Sequence, residues 1–151
     1  MSKSNDFENL LLRHVFNNED IPNIGDAAGL QGAAAVGSLY LSLHTADPGE
    51  AGDQTTNEIS YTGYARVAVP RTAARLQVTG NKVELVEDED FPKMTGGAGG
   101  TVTHFGIGTA ASGGGTLLYS GETDPDILIQ NGIIPRLEGL ATGTATSVTE
   151  D

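Results

Sequence analysis

The chain has 151 residues, a mass of 15.6 kDa, no cysteine, and a formal net charge of −12 from 20 acidic and 8 basic side chains. This length fits one domain that buries roughly 70% of its unfolded surface, and the lack of Cys excludes disulfides and thiolate metal sites. So acidic a surface repels phosphate backbones and anionic lipids, so neither nucleic acid nor membrane is an expected partner.

Hydrophobic residues make up 38% of the chain, and 21 glycines lie among Thr-, Ala- and Ser-rich segments. That mixture predicts short strands joined by tight turns, an all-β class. The N-terminus, Met1-Ser2-Lys3-Ser4-Asn5-Asp6, has no apolar stretch of the signal-peptide kind. No apolar run approaches the roughly 18 residues of a membrane span. A soluble product of a cytoplasm is expected.

In chain order, the first element reads as a helix. Asn5 is the expected N-cap, with Glu8 three residues on and Asp6 near the positive helix end. Phe7, Leu10, Leu11, His14 and Val15 follow at helical spacing as one apolar face, and Asn17-Asn18 ends the helix. A helix this short must dock, either on its own domain or on a neighbouring subunit. These five residues are the candidate subunit contacts. Residues 17–37, punctuated by Pro22, Gly25, Gly29, Gly32 and Gly37, read as an irregular arm. The expected organisation is therefore a helix and extended arm over 1–36 and a β-sandwich domain over 37–151. Deleting residues 1–36 should leave the β domain folded and weaken attachment.

From residue 37 the period is two. Leu39, Leu41 and Leu43 alternate with Tyr40, Ser42 and His44 as on a half-buried strand, and Ala65, Val67 and Val69 share a face of the next. Gly80-Asn81 suits a two-residue hairpin turn that pairs Val78 with Val83 and Leu76 with Leu85. The acidic run Glu87-Asp88-Glu89-Asp90 reads as a solvated strand end, since neighbouring strand residues point to opposite faces and an EF-hand pattern is lacking. Thr101–Ile107 and Thr116–Tyr119 read as strands joined across a Ser-Gly-Gly-Gly turn. Asp124-Pro125-Asp126 reads as a turn, Ile127–Gln130 and Ile133-Ile134 as strands around Asn131-Gly132, and residues 137–148 as a last strand. Roughly seven or eight short strands suit a single β-sandwich or jelly-roll-like barrel.

No segment carries recognisable catalytic chemistry, and no enzyme activity, cofactor or metal is expected. Gly106-Ile107-Gly108-Thr109-Ala110-Ala111 resembles a dinucleotide fingerprint only in spelling, because Ser112-Gly113-Gly114-Gly115 follows where a helix should start. Turn glycines explain it better. His14, His44 and His104 have no ligand spacing and read as scattered singly, and no Gly-x-Ser-x-Gly elbow is present.

Several segments taken together resemble a known family. They are the Asp6-Phe7-Glu8-Asn9-Leu10-Leu11 helix, Leu39–Gly49 (LYLSLHTADPG), Glu58–Val69 (EISYTGYARVAV), Thr101–Gly108 (TVTHFGIG) and Gly115–Gly121 (GTLLYSG). From residue 5 to about residue 140 the chain is similar to small tailed-bacteriophage virion structural proteins, often labelled tail-fibre or virion proteins, with a longer arm over residues 20–36. The resemblance implies a particle component made in the host bacterial cytoplasm. Without a fibrous repeat, and with 5% aromatic residues for reading sugars, a compact domain with a helix and arm suits a capsid decoration (cement) protein. Such a protein would sit on the capsid exterior as a homotrimer, bind the major capsid protein and copies of itself, and bridge subunits by burying the Phe7/Leu10/Leu11/Val15 face. A tail-fibre or tail-tip adaptor is the alternative, and a host-surface binding module the third reading.

Overall fold

The computed structural model describes residues 2–150. One helix, α1 (Asn5–Asn17), is followed by β1 (Ser38–His44), β2 (Val67–Pro70), β3 (Leu76–Thr79), β4 (Lys82–Leu85) and β5 (Glu89–Asp90). Then come β6 (Gly100–Gly108), β7 (Leu117–Ile129), β8 (Arg136–Leu137) and β9 (Ser147–Thr149). All pairings are antiparallel, in three sheets of order β2-β1-β6-β7, β3-β4-β9 and β5-β8. The fold is all-β with one N-terminal helix, as the turn-rich composition predicts.

The helix is capped by Ser4 rather than Asn5. Ser4 is extended, its Oγ accepts the Phe7 N–H at 3.3 Å, and its carbonyl accepts the Glu8 N–H at 2.9 Å. Both residue types cap well, and the hydroxyl one position earlier takes the role. Asn18 ends the helix in the left-handed region at φ 57°. Arg71 completes that end, with Nε and a terminal nitrogen donating to the Val15 and His14 carbonyls at 2.6 Å each.

The buried line of α1 is Glu8, Leu12 and Phe16, spaced by four. Leu12 and Phe16 are fully buried in the same core as the strands, so deleting residues 1–36 would open that core rather than leave an intact β domain, and the Phe16 ring lies 5.3 Å from that of Tyr119. The expected Phe7/Leu10/Leu11/His14/Val15 stripe lies beside this line. Phe7 is exposed, the other four are half-buried, and Val15 packs on the core. Apolar residues crowd this helix, so periodicity permits more than one inward stripe. Two side-chain amides set the rotation: Asn9 donates to the Gly80 carbonyl and Asn17 to the Leu76 carbonyl, each at 2.8 Å.

Residues 18–36 are irregular but closed on themselves. Ile21 and Leu30 exchange both backbone hydrogen bonds at 2.9 Å, and the Asn18 side chain holds both backbone groups of Ala33. Gly29, at φ +69°, abuts the Ile21 carbonyl so closely that a Cβ would fall 2.0 Å from its oxygen. Only glycine fits there.

The hairpin has the predicted register, Leu76↔Leu85 and Val78↔Val83, around Gly80 at φ +62°. Positive φ at the first turn residue is the type II′ pattern that matches strand twist. Leu76, Val83 and Leu85, with Val148 of β9, face Leu41, Phe105 and Ile107 of the larger sheet, and the core lies between the two sheets.

Four strand and turn expectations change. Residues 117–129 form one strand instead of two, and Asp124-Pro125-Asp126 is a bulge within it instead of a turn. The register passes from Val102↔Ile127 to His104↔Glu122, so several β7 residues oppose Thr103 alone. A bulge accommodates proline, which cannot donate to a ladder. Ile133-Ile134 is not a strand; it follows the Asn131-Gly132 turn, and its Ile133 carbonyl accepts from Met94 at 2.9 Å. Residues 137–148 are not one strand either, because Leu137 belongs to β8 and Val148 to β9.

Replacing Phe16 by Ala should cost about 3–5 kcal/mol in denaturant unfolding, the range for removing a buried aromatic side chain. Phe7→Ala should change stability by no more than about 0.5 kcal/mol, as for exposed positions. Equal losses would mean that the helix docks through a different face.

Candidate functional site

The chemistry-bearing residues of the larger sheet gather on its non-core face. Ser42 and His44 were expected to point outward from β1 as polar partners of Leu41 and Leu43, yet both are fully buried. The reason is a cover formed by residues 54–66, which continues the pairing beside β1 through a His44–Glu58 bridge and an Ile59 N–H to Leu43 carbonyl bond of 2.9 Å. His44 Nδ1 donates to the Thr56 carbonyl at 2.8 Å, which leaves Nε2 to accept from the Ser42 hydroxyl at 2.8 Å. His44 is also the cross-strand partner of His104, so two of the three histidines are adjacent rather than scattered. His14 stands apart on α1, with Nδ1 donating to the Glu19 carbonyl at 2.7 Å.

Glu58 is the hub of the cover. It receives both Nε and a terminal nitrogen of Arg66 at 2.7 Å each, and the Tyr64 hydroxyl at 2.8 Å. Arg66 also donates to the Ala110 carbonyl at 2.9 Å, and the Tyr64 hydroxyl accepts the Leu43 N–H at 3.1 Å. Hydrogen bonding to Glu58 raises the Arg66 pKa, and burial raises that of Tyr64. Burial likewise lowers the pKa of His44, against its bond to Thr56.

Gly106 and Gly108 lie in β6 beneath this cover and are strand residues, not turn glycines. A Cβ on Gly106 would lie 2.7 Å from both His44 Nε2 and Ser42 Oγ, and one on Gly108 would lie 2.1 Å from Gln54 Cδ. The glycine spelling of this strand therefore reflects space taken by a neighbour's polar side chains. The Ser–His pair lies beneath the cover with no exposed surface, so its geometry seals a sheet.

The acidic run is ion-paired, not simply solvated. Strand alternation sends Glu87 and Glu89 one way and Asp88 and Asp90 the other. The first pair meets Arg75 and the second meets Arg136, which grips Asp90 through two nitrogens at 2.6 and 2.9 Å. The Gly139 N–H and Thr142 hydroxyl lower the Asp88 pKa, and Arg136 lowers that of Asp90. Among the described residues no group of three or more His, Asp or Glu side chains is placed to hold a metal. Among the same residues no helix is long and apolar enough to cross a membrane.

What remains for recognition is the surface. Exposed large apolar side chains lie mainly in two regions, Phe7, Ile24, Leu30 and Val36 on the N-terminal segment and Leu128, Ile133 and Ile134 at and beyond the end of β7, with Leu140 apart from both. A cleft of about 310 Å³ lies between residues 122–127 and residues 136–147, with Phe105 and Leu137 in its wall and Glu122, Asp124 and Glu138 around it.

Two measurements test the buried cover. Arg66→Met should cost about 3–5 kcal/mol, because it strands Glu58 away from water, while the double replacement Glu58→Gln/Arg66→Met should cost clearly less. Protonating His44 is also harder in the folded protein than at its ordinary pKa of 6.5. The unfolded chain then binds more protons below that pH, so stability is full above 6.5 and falls as the pH drops below it, until His44 protonates in the folded protein as well. Melting curves of His44→Gln should show a flatter dependence over that window than the wild type.

No curated protein matches the chain. A family model described as podophage GP4 fiber I protein gp80 matches residues 2–144, which takes in the helix, the closed arm, the polar cover and every strand but the last. With a match over nearly its whole length, the chain belongs to the podophage GP4 fiber I protein gp80 family of phage virion structural proteins.

Proposed function

We propose that this chain is a fibre subunit of a podophage particle, built to dock to neighbouring virion proteins and to copies of itself. The observation that carries the reading is the fibre description of a family model spanning residues 2–144. The distribution of side chains supports it. The polar chemistry of the sheet is sealed inside, whereas apolar residues that a folded monomer has no need to expose remain outside at Phe7, Ile24, Leu30 and Val36. Burying the exposed remainder of each in a contact would contribute on the order of 1 kcal/mol before ordering costs. The proposal assigns no catalysis to the chain.

A second reading is a trimeric capsid decoration protein on the shell exterior, bridging major capsid subunits. The same exposed N-terminal residues favour it, since a seam between shell subunits would cover them. Against it, residues 18–36 are tied by the Ile21–Leu30 and Asn18–Ala33 bonds, which shortens the reach of a strap.

Quantitative mass spectrometry of purified particles separates the two. A fibre subunit should be present in a handful of copies to a few tens, and hundreds of copies would transfer the protein to the shell. Replacing Phe7 and Leu30 by Asp should leave the melting temperature nearly unchanged, as for exposed sites, while incorporation into particles drops severalfold. Unchanged incorporation would remove this face from the assembly contact.

A further inference from the structure

Strand β7 ends the four-stranded sheet and has β6 as its sole partner. It is 13 residues long, and among the described residues none of its backbone groups over 117–129 is bonded to any other segment. β9 likewise ends its sheet, and it lies against β7: Gly121 sits beside the Ser147 carbonyl, and the Tyr119 hydroxyl donates to Glu150 at 2.7 Å. The two open edges therefore share one side of the molecule, and the cleft between residues 122–127 and 136–147 lies there.

An open edge of this length invites another strand. Its charges decide which kind. Glu122, Asp124 and Asp126 surround the bulge, so pairing this edge with the same edge of a second copy would bring carboxylates together. Among the described residues Glu122, Asp124 and Glu138 of the cleft wall form no ion pair, and Arg136 is already held by Asp88 and Asp90. Elsewhere the chain has little positive charge to offer. Lys3, Arg13, Arg66, Arg75, Lys82 and Arg136 are in ion pairs with its own carboxylates, and Arg71 is on the helix carbonyls, which leaves Lys93 alone among the eight basic residues. One lysine cannot match a cluster of three carboxylates, so a different protein is the better source of complementary charge.

We propose that the outer edge of β7 and the adjoining cleft receive an extended, lysine- or arginine-bearing segment of another virion protein, which adds to the sheet as a fifth strand. Backbone bonds along residues 117–129 would supply affinity. Strand alternation would send every second side chain of the segment toward Glu122, Asp124 and Glu138. The inference rests on the reading of the chain as a virion subunit that docks to its neighbours. It is tested on the purified protein, so its failure and a failed copy count are separate results.

The experiment is amide hydrogen exchange on the full chain with a synthetic peptide of alternating Lys and Val. Exchange within residues 117–129 should slow by about tenfold or more at saturation. It should not slow with a Glu–Val peptide, nor with the Lys–Val peptide on the folded variant Glu122→Lys/Asp124→Lys. No slowing with the Lys–Val peptide overturns the proposal, as does slowing that the variant retains. Slowing that is equal around Asp26 and Glu50 would reduce the effect to charge alone and also overturn it. Protection of residues 117–129 that grows with protein concentration without peptide would assign the edge to a second copy instead.

Discussion

Strand β1 is buried on both faces, and much of the architecture follows from satisfying its two sides differently. Leu39, Leu41 and Leu43 enter the apolar core, while Ser42 and His44 on the other side need hydrogen-bonding partners away from water. Residues 54–66 supply those partners as a folded cover. The Glu58–Arg66 pair inside it satisfies carboxylate oxygens and guanidinium nitrogens together. Next to it, β6 carries glycine at 106 and 108 because the cover and the β1 side chains occupy the space where Cβ atoms would stand. A buried ion pair of this kind adds little net stability over an apolar replacement. Its effect is to specify one arrangement of the loop over the sheet.

Charge is organised by the same economy of partners. The acidic run over 87–90 serves two arginines, one on each side of the strand, and ties β5 to residues 136–142. Once these internal pairs are made, the unpaired charge on the surface is overwhelmingly negative. A particle component with such a surface is disfavoured from pairing with itself wherever its carboxylates cluster, and is drawn to cationic neighbours.

Membership of a podophage fibre family places the chain in the virion, and the surface suggests how it is held there. Apolar contact through the N-terminal segment and strand addition at β7 are different kinds of attachment, one largely a matter of buried area, the other of backbone direction and register. Two such contacts on one small domain would let it bridge neighbours without a long shaft of its own.

Local patterns settled a good part of the structure. The Gly80-Asn81 turn and the alternation of Leu76, Val78, Val83 and Leu85 agree on one register, because both act within a few residues. The Leu39/Leu41/Leu43 face, the glycine-rich turns and the end of α1 at Asn18 were legible for the same reason. Long-range contacts decided the rest. Which stripe of α1 turns inward depends on Asn9 and Asn17 reaching the hairpin, so Leu12 and Phe16 could not be singled out from spacing among so many apolar neighbours. Ser42 and His44 alternate as exposed residues should, and only a segment folding back over them makes them buried. His44 and His104 meet because β1 pairs with β6, 60 positions apart in sequence. Residues 117–129 remain one strand across Asp124-Pro125 because β6 holds both halves and a bulge absorbs the proline. Sequence by itself determined the class of fold and the local turns, since backbone preference and side-chain period act over short distances. Tertiary structure alone decided which polar groups are sealed and which edge stays open, since both depend on what distant parts of the chain come to rest against them.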